Sequence, residues 1–155
     1  MATAALGATE INTFLRACEN GDLKYVKECS TIEKTIDNVD IISDANGNTG
    51  LQVASANDQL EVLKFLIRNH AKINLGNDCG WTSLHHASLY GHNEIIKELM
   101  KNGASFTMRN KLGATPLHIA VASGHVSTFK YAIIKLIIRC KKSVKNFIII
   151  FVGFL

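Results

Sequence analysis

Hydrophobic residues along this chain fall into short helical clusters rather than alternating runs. Leu117 and Ala120 recur three apart, and Ile95, Ile96, Leu99 and Met100 follow an i, i+3, i+4 pattern. Val62-Leu63-Lys64-Phe65-Leu66 forms a further cluster of the same kind. Polar breakers separate the clusters. Gly91 and Gly124 allow the left-handed turn that ends one helix and admits the next, and Asn102-Gly103 supplies the exit from the second. Thr115-Pro116 marks a helix start, because threonine caps free backbone N–H groups and proline at the first helical position loses no needed donor. The pattern predicts pairs of short helices. Each pair is too small to bury its own apolar face, so the pairs must stack on one another in an all-α array.

The clusters repeat at a fixed interval. Gly47, Gly80 and Gly113 are 33 residues apart, as are Leu51, Leu84 and Leu117, and Ala54, Ala87 and Ala120. Seven residues after each leucine stand Asp58, Gly91 and Gly124. The stretches Asn48-Thr49-Gly50-Leu51-Gln52-Val53-Ala54, Trp81-Thr82-Ser83-Leu84-His85-His86-Ala87 and Ala114-Thr115-Pro116-Leu117-His118-Ile119-Ala120 lie under one another in this register. The 33-residue period with a G-x-T-P-L-H-x-A core resembles the ankyrin repeat. That resemblance implies an all-α solenoid of helix-turn-helix units joined by β-hairpin-like fingers, and it covers roughly residues 11–131.

A degenerate first repeat precedes the regular ones. Phe14, Ala17 and Gly21 take the places of Leu84, Ala87 and Gly91, and Leu23-Lys24-Tyr25-Val26-Lys27 opens its second helix. Phe14 lies 37 residues before Leu51, so the connection holds four extra residues, placed within Ile32 to Ile42. The expected division is an extension at 1–10, a capping repeat at 11–44, repeats at 45–77 and 78–110, an incomplete repeat at 111–131 and an atypical tail at 132–155. The second repeat lacks the proline and histidine of its motif and carries Asp58 and His70 where glycine is usual. It is therefore expected to be the softest internal unit.

Charge changes the picture at the C-terminus. Residues 1–98 carry 8 basic and 13 acidic side chains, whereas residues 99–155 carry 9 basic and no acidic ones. From Tyr131 onward, 18 of 25 residues are Tyr, Ile, Lys, Asn, Phe or Leu, amino acids whose codons can be built from A and T alone. This composition suggests a longer array cut short near Tyr131. The rival reading is membrane contact through 131–155. Phe147 to Leu155 is apolar, but at nine residues it falls short of the about 20 that a spanning helix needs, which leaves an interfacial segment. A last helix extended over the open end of the stack is a third reading. Nothing in Met1 to Glu10 reads as a secretory signal, so Cys18, Cys29, Cys79 and Cys140 are expected as free thiols in a reducing, cytoplasmic setting, with ciliary or nuclear placement as alternatives.

Candidate chemistry is sparse. No HExxH, clustered carboxylates, Cys/His pairing, G-x-S-x-G, P-loop or G-x-G-x-x-G is present, so no enzyme, cofactor, metal or small-molecule substrate is expected. Within the ankyrin resemblance, His85 and His118 become structural members that hydrogen-bond within and between repeats, and His92 and His125 belong to the same scaffold. The resemblance also implies a protein partner docked on the fingertips and the exposed face of the first helices. Carried onto this chain, that surface comprises Ala45, Asn46, Asn48 and Asn57. It continues through Asp78, Cys79, Trp81, Leu89 and Tyr90, with Arg109 at the junction, to Lys111, Leu112 and Ser123. Trp81, Leu89 and Tyr90 are expected to cluster as an aromatic anchor. Asn74 stands in a segment similar to ankyrin stretches hydroxylated on asparagine, with Lys72 in place of the expected acid. The long first connection, Gly47-Asn48-Thr49-Gly50-Leu51-Gln52 and Gly80-Trp81-Thr82 are similar to the opening repeats of ankyrin-repeat-and-SAM-domain adaptors, although no SAM-like segment is present. The resulting expectation is a non-catalytic adaptor module that binds a protein. A membrane-associated regulator using the basic-apolar tail is the alternative, and a nucleic-acid partner ranks below both.

Overall fold

The computed structural model describes residues 8–32, 40 and 42–139. Eight α-helices follow one another: α1 (Ala8–Asn20), α2 (Leu23–Ile32), α3 (Gly50–Ala56), α4 (Leu60–Arg68), α5 (Ser83–Tyr90), α6 (Asn93–Lys101), α7 (Pro116–Ala122) and α8 (Val126–Arg139). Helices α1, α3, α5 and α7 pack side by side as one row, and α2, α4, α6 and α8 form a second row behind them. The only β pairing among the described residues is an isolated antiparallel bridge between Ser43 and Thr49.

Local chemistry sets the helix boundaries. Thr49, Thr82 and Thr115 sit in extended conformation and close capping boxes with Gln52, His85 and His118. The turns between paired helices take positive φ at Gly21, Asp58, Gly91 and Gly124. Aspartate tolerates that region better than most residues, and Asp58 adopts φ 57° there; His70 adopts 64° at the exit of its repeat. Asn69 and Asn102 end α4 and α6 by donating Nδ2–H to the carbonyls of Phe65 and Glu98 four residues back.

The core runs along the stack as layers of equivalent residues. Phe14, Leu51 and Leu84 are buried, as are Ala17, Ala54, Ala87 and Ala120, and Leu66, Leu99 and Ala132 line the second row. Removing such side chains from water contributes about 25 cal/mol per Å² of apolar surface, shared between neighbouring repeats.

The structure departs from the expected boundaries at both ends. Helix α1 begins at Ala8, inside the expected extension. At the other end the helical fold does not stop at Tyr131: Ala132 is fully buried, and α8 continues to Arg139. One period after Asn102-Gly103 comes Lys135-Leu136, which offers neither a capping amide nor a flexible turn. The extra residues of the first connection (33–39 and 41) and the tail from 140 onward, with Cys140, lie outside the described residues. No helix among the described residues is long and apolar enough to cross a membrane.

Candidate protein-binding face

Three fingers project ahead of α3, α5 and α7, and one device builds each of them. The side chain of Asp44 accepts N–H bonds from Asn46 and Asn48, that of Asn77 from Cys79 and Trp81, and that of Asn110 from Leu112 and Ala114. Backbone bonds then tie finger to finger, with Asp78 N–H donating to the Asn46 carbonyl (3.0 Å) and Lys111 N–H to that of Cys79 (2.9 Å). Burial raises the Asp44 carboxyl, but hydrogen bonds from Asn48 and Asn46 outweigh it and hold the group below the usual carboxylate range.

Imidazole and amide rungs hold the helices at fixed spacing. His85 Nε2 lies 3.1 Å from the Ala114 carbonyl, which can only accept, so the ring carries its proton there and Nδ1 accepts from Thr82 N–H. In the second repeat Gln52 plays the same part, accepting from Thr49 N–H and donating to the carbonyls of Leu75 and Trp81. A second series points backwards. Gln59, His92 and His125 donate to the carbonyls of Glu19, Ala56 and Leu89 at 3.0, 3.0 and 2.8 Å. The two glutamines therefore supply what the missing histidines would, a signal present in the sequence but hidden by the change of residue type. The missing proline and the left-handed Asp58 and His70 remain as departures of that repeat.

The anticipated surface residues divide into two groups. Asn46, Asp78, Lys111 and Leu112 stand exposed at the fingertips, Leu112 at 86%. Tyr90 is 54% exposed at the C-terminal end of α5, stacked on His92 at 5.8 Å. The others have structural duties. Asn48 donates to Asp44 and accepts from Asn77; Asn57 donates to the Val53 carbonyl; the Leu89 carbonyl receives His125; and Arg109 donates to the Gly113 carbonyl within its own finger. Trp81 is half-buried over the start of α5, with its ring 5.8 Å from His85 and 5.4 Å from His86. The expected cluster of Trp81 with Leu89 and Tyr90 does not form. α5 is eight residues long, about 12 Å, and it holds Trp81 and Tyr90 at opposite ends.

Sequence reasoning passed over the column that joins these ends. Val53, His86 and Ile119 are one period apart and half-buried along the first helices. Burial, then the charge of His85, pushes the His86 imidazole down to about 4, with Asp44 opposing. Asn74 is exposed, its side chain donating to the Gly103 carbonyl and accepting from Ser105 N–H. Cys18 is buried, a setting that drives its thiol up to about 12, with Cys29 adding to the effect, whereas Cys79 is exposed on a fingertip. Among the described residues no three His, Cys, Asp or Glu side chains come together in a set that could hold a metal ion.

Comparison with known proteins agrees with this geometry. The family model for ankyrin repeats (3 copies) matches residues 51–146, and that for ankyrin repeats (many copies) matches residues 14–67. No curated protein matches the chain. With a repeat model spanning more than half of its length and the rungs, fingers and paired helices in register, the chain belongs to the ankyrin repeat family.

Proposed function

We propose that this chain is a non-catalytic adaptor module that holds a partner protein against its finger row and the exposed face of α3, α5 and α7, with Trp81 as the anchor. Ankyrin repeats are generally protein–protein interaction modules and typically non-enzymatic. The reading rests on one observation, the interruption of the finger ladder at Trp81. Asn77 Nδ2 donates to Asn48 Oδ1 at 2.7 Å. One period on, Trp81 stands where Asn48 stood and has no oxygen to offer, and Asn110 Nδ2 is buried without a hydrogen-bond partner. A buried donor left unpaired costs about 1–3 kcal/mol. A half-exposed tryptophan that breaks a local rule at such a cost fits a binding anchor better than a structural filler, because violations of this kind gather at functional sites.

Trp81→Asn tests the reading, since it removes the ring and restores the acceptor. The variant should fold with a melting temperature within a few degrees of the wild type, and proteins captured reproducibly from lysate by the wild type should be retained at least tenfold less. Undiminished capture by a folded Trp81→Asn chain would contradict the role of Trp81.

A further inference from the structure

Charge is divided unevenly between the two rows of helices. Helices α1, α3, α5 and α7 together carry one basic and two acidic side chains, whereas α2, α4, α6 and α8 carry nine basic and four acidic ones. The basic residues of the second row keep the repeat register. Lys27, Lys64, Lys97 and Lys130 form one column, and Arg68 and Lys101 form a second column that ends in Ile134. Residues four apart share a helix face, so α4, α6 and α8 each turn one member of both columns to the same side. Packed helices lie about 8–10 Å apart, which sets the spacing of the columns across the back of the stack.

Neutralisation of this charge stops at α8. Lys64 pairs with Glu61 at 2.7 Å and Lys97 with Glu94 at 2.6 Å. One period further on stands Ser127, whose hydroxyl accepts a hydrogen bond from Asn93 Nδ2 at 3.2 Å and brings no charge to Lys130. Arg68, Lys101 and Lys130 are exposed and pair with no carboxylate among the described residues. Lys135 is exposed as well, with its ammonium 5.6 Å from the centre of the Tyr131 ring. Apolar side chains flank the unpaired lysine. Val126 and Ile134, four residues to either side of Lys130, are 60% and 55% exposed.

We propose that the second row docks on an anionic lipid bilayer, with Arg68, Lys101, Lys130 and Lys135 against the headgroups and Val126 and Ile134 entering the boundary with the acyl chains. A nucleic acid would reward the cations but leave Val126 and Ile134 in water, whereas a membrane interface takes apolar side chains that are flanked by cations. Among the described residues the row also exposes no aromatic ring on which a base could stack. The fingers project on the first-row side, so a chain held in this way keeps Trp81 free for a partner protein.

Flotation of the full chain with vesicles tests the proposal at low salt. Docking predicts binding to phosphatidylcholine vesicles that contain about one-third phosphatidylserine and none to pure phosphatidylcholine. Each basic residue near such a surface contributes roughly fivefold, so Arg68→Gln/Lys101→Gln/Lys130→Gln should bind at least twentyfold more weakly at an unchanged melting temperature. Ile134→Ser alone should bind at least threefold more weakly. No binding by the wild type would overturn the proposal, and equal binding by the triple variant would do so by placing the contact elsewhere in the chain. Vesicle binding that Ile134→Ser leaves intact, or that duplex DNA at equal phosphate concentration abolishes, would assign the columns to a polyanion without an apolar layer and overturn it too.

Discussion

Gln52 and Gln59 do with a carboxamide what His85 and His92 do with an imidazole: each reaches a carbonyl of the neighbouring repeat, and Gln52 also receives the N–H of its own capping threonine. The exchange works because both side chains hold a donor and an acceptor at similar reach. Unlike the amide, the imidazole titrates, and at His86 this has a measurable consequence. The folded chain binds its proton near 4 and the unfolded chain near 6.5, so the unfolded state takes up protons first as the solution is acidified. Stability from this group is complete above pH 6.5 and is lost as pH falls toward 4, by on the order of 2–3 kcal/mol. His86→Leu should flatten the change in urea midpoint between pH 7 and pH 4.5. An unchanged slope in that variant would refute the assignment.

Helix α3 shows how packing can override intrinsic preference. It starts at Gly50, where Ser83 and Pro116 start the equivalent helices, and a Cβ there would come within 2.9 Å of Phe14 Cε1 and 3.0 Å of Cys18 Sγ. Both neighbours are buried and have little room to move. Gly50→Ala normally gains about 1 kcal/mol in a helix. Overpacking costs about 1–3 kcal/mol, so here the substitution should lower stability. A rise in the denaturation midpoint of Gly50→Ala would show that α1 and α3 are not held this closely. Much at this scale was legible beforehand. The 33-residue register located the paired helices, the capping threonines and the left-handed Asp58, because each depends on residues within a few positions. The continuation of α8 past Tyr131 was not legible, since composition changes at Tyr131 whereas Lys135-Leu136 offers no cap to end the helix there. Nor was the separation of Trp81 from Tyr90, which follows from the length of α5 rather than from closeness in sequence.

On the scale of the whole molecule, the repeats form a stack with the fingers along one edge. Its fingertips differ in charge, uncharged at Asn46, acidic at Asp78 and basic at Lys111, with Leu112 exposed beside Lys111. A partner lying along this edge would meet an acidic finger, the Trp81 ring and a basic finger in that order. The most direct measurement is capture from lysate, quantified by mass spectrometry side by side for the wild type and Trp81→Asn, with the folding of both chains verified by thermal melting. The account predicts a defined set of proteins enriched by the wild type and depleted at least tenfold by the variant at nearly equal melting temperature. The same set retained equally by both chains would contradict it.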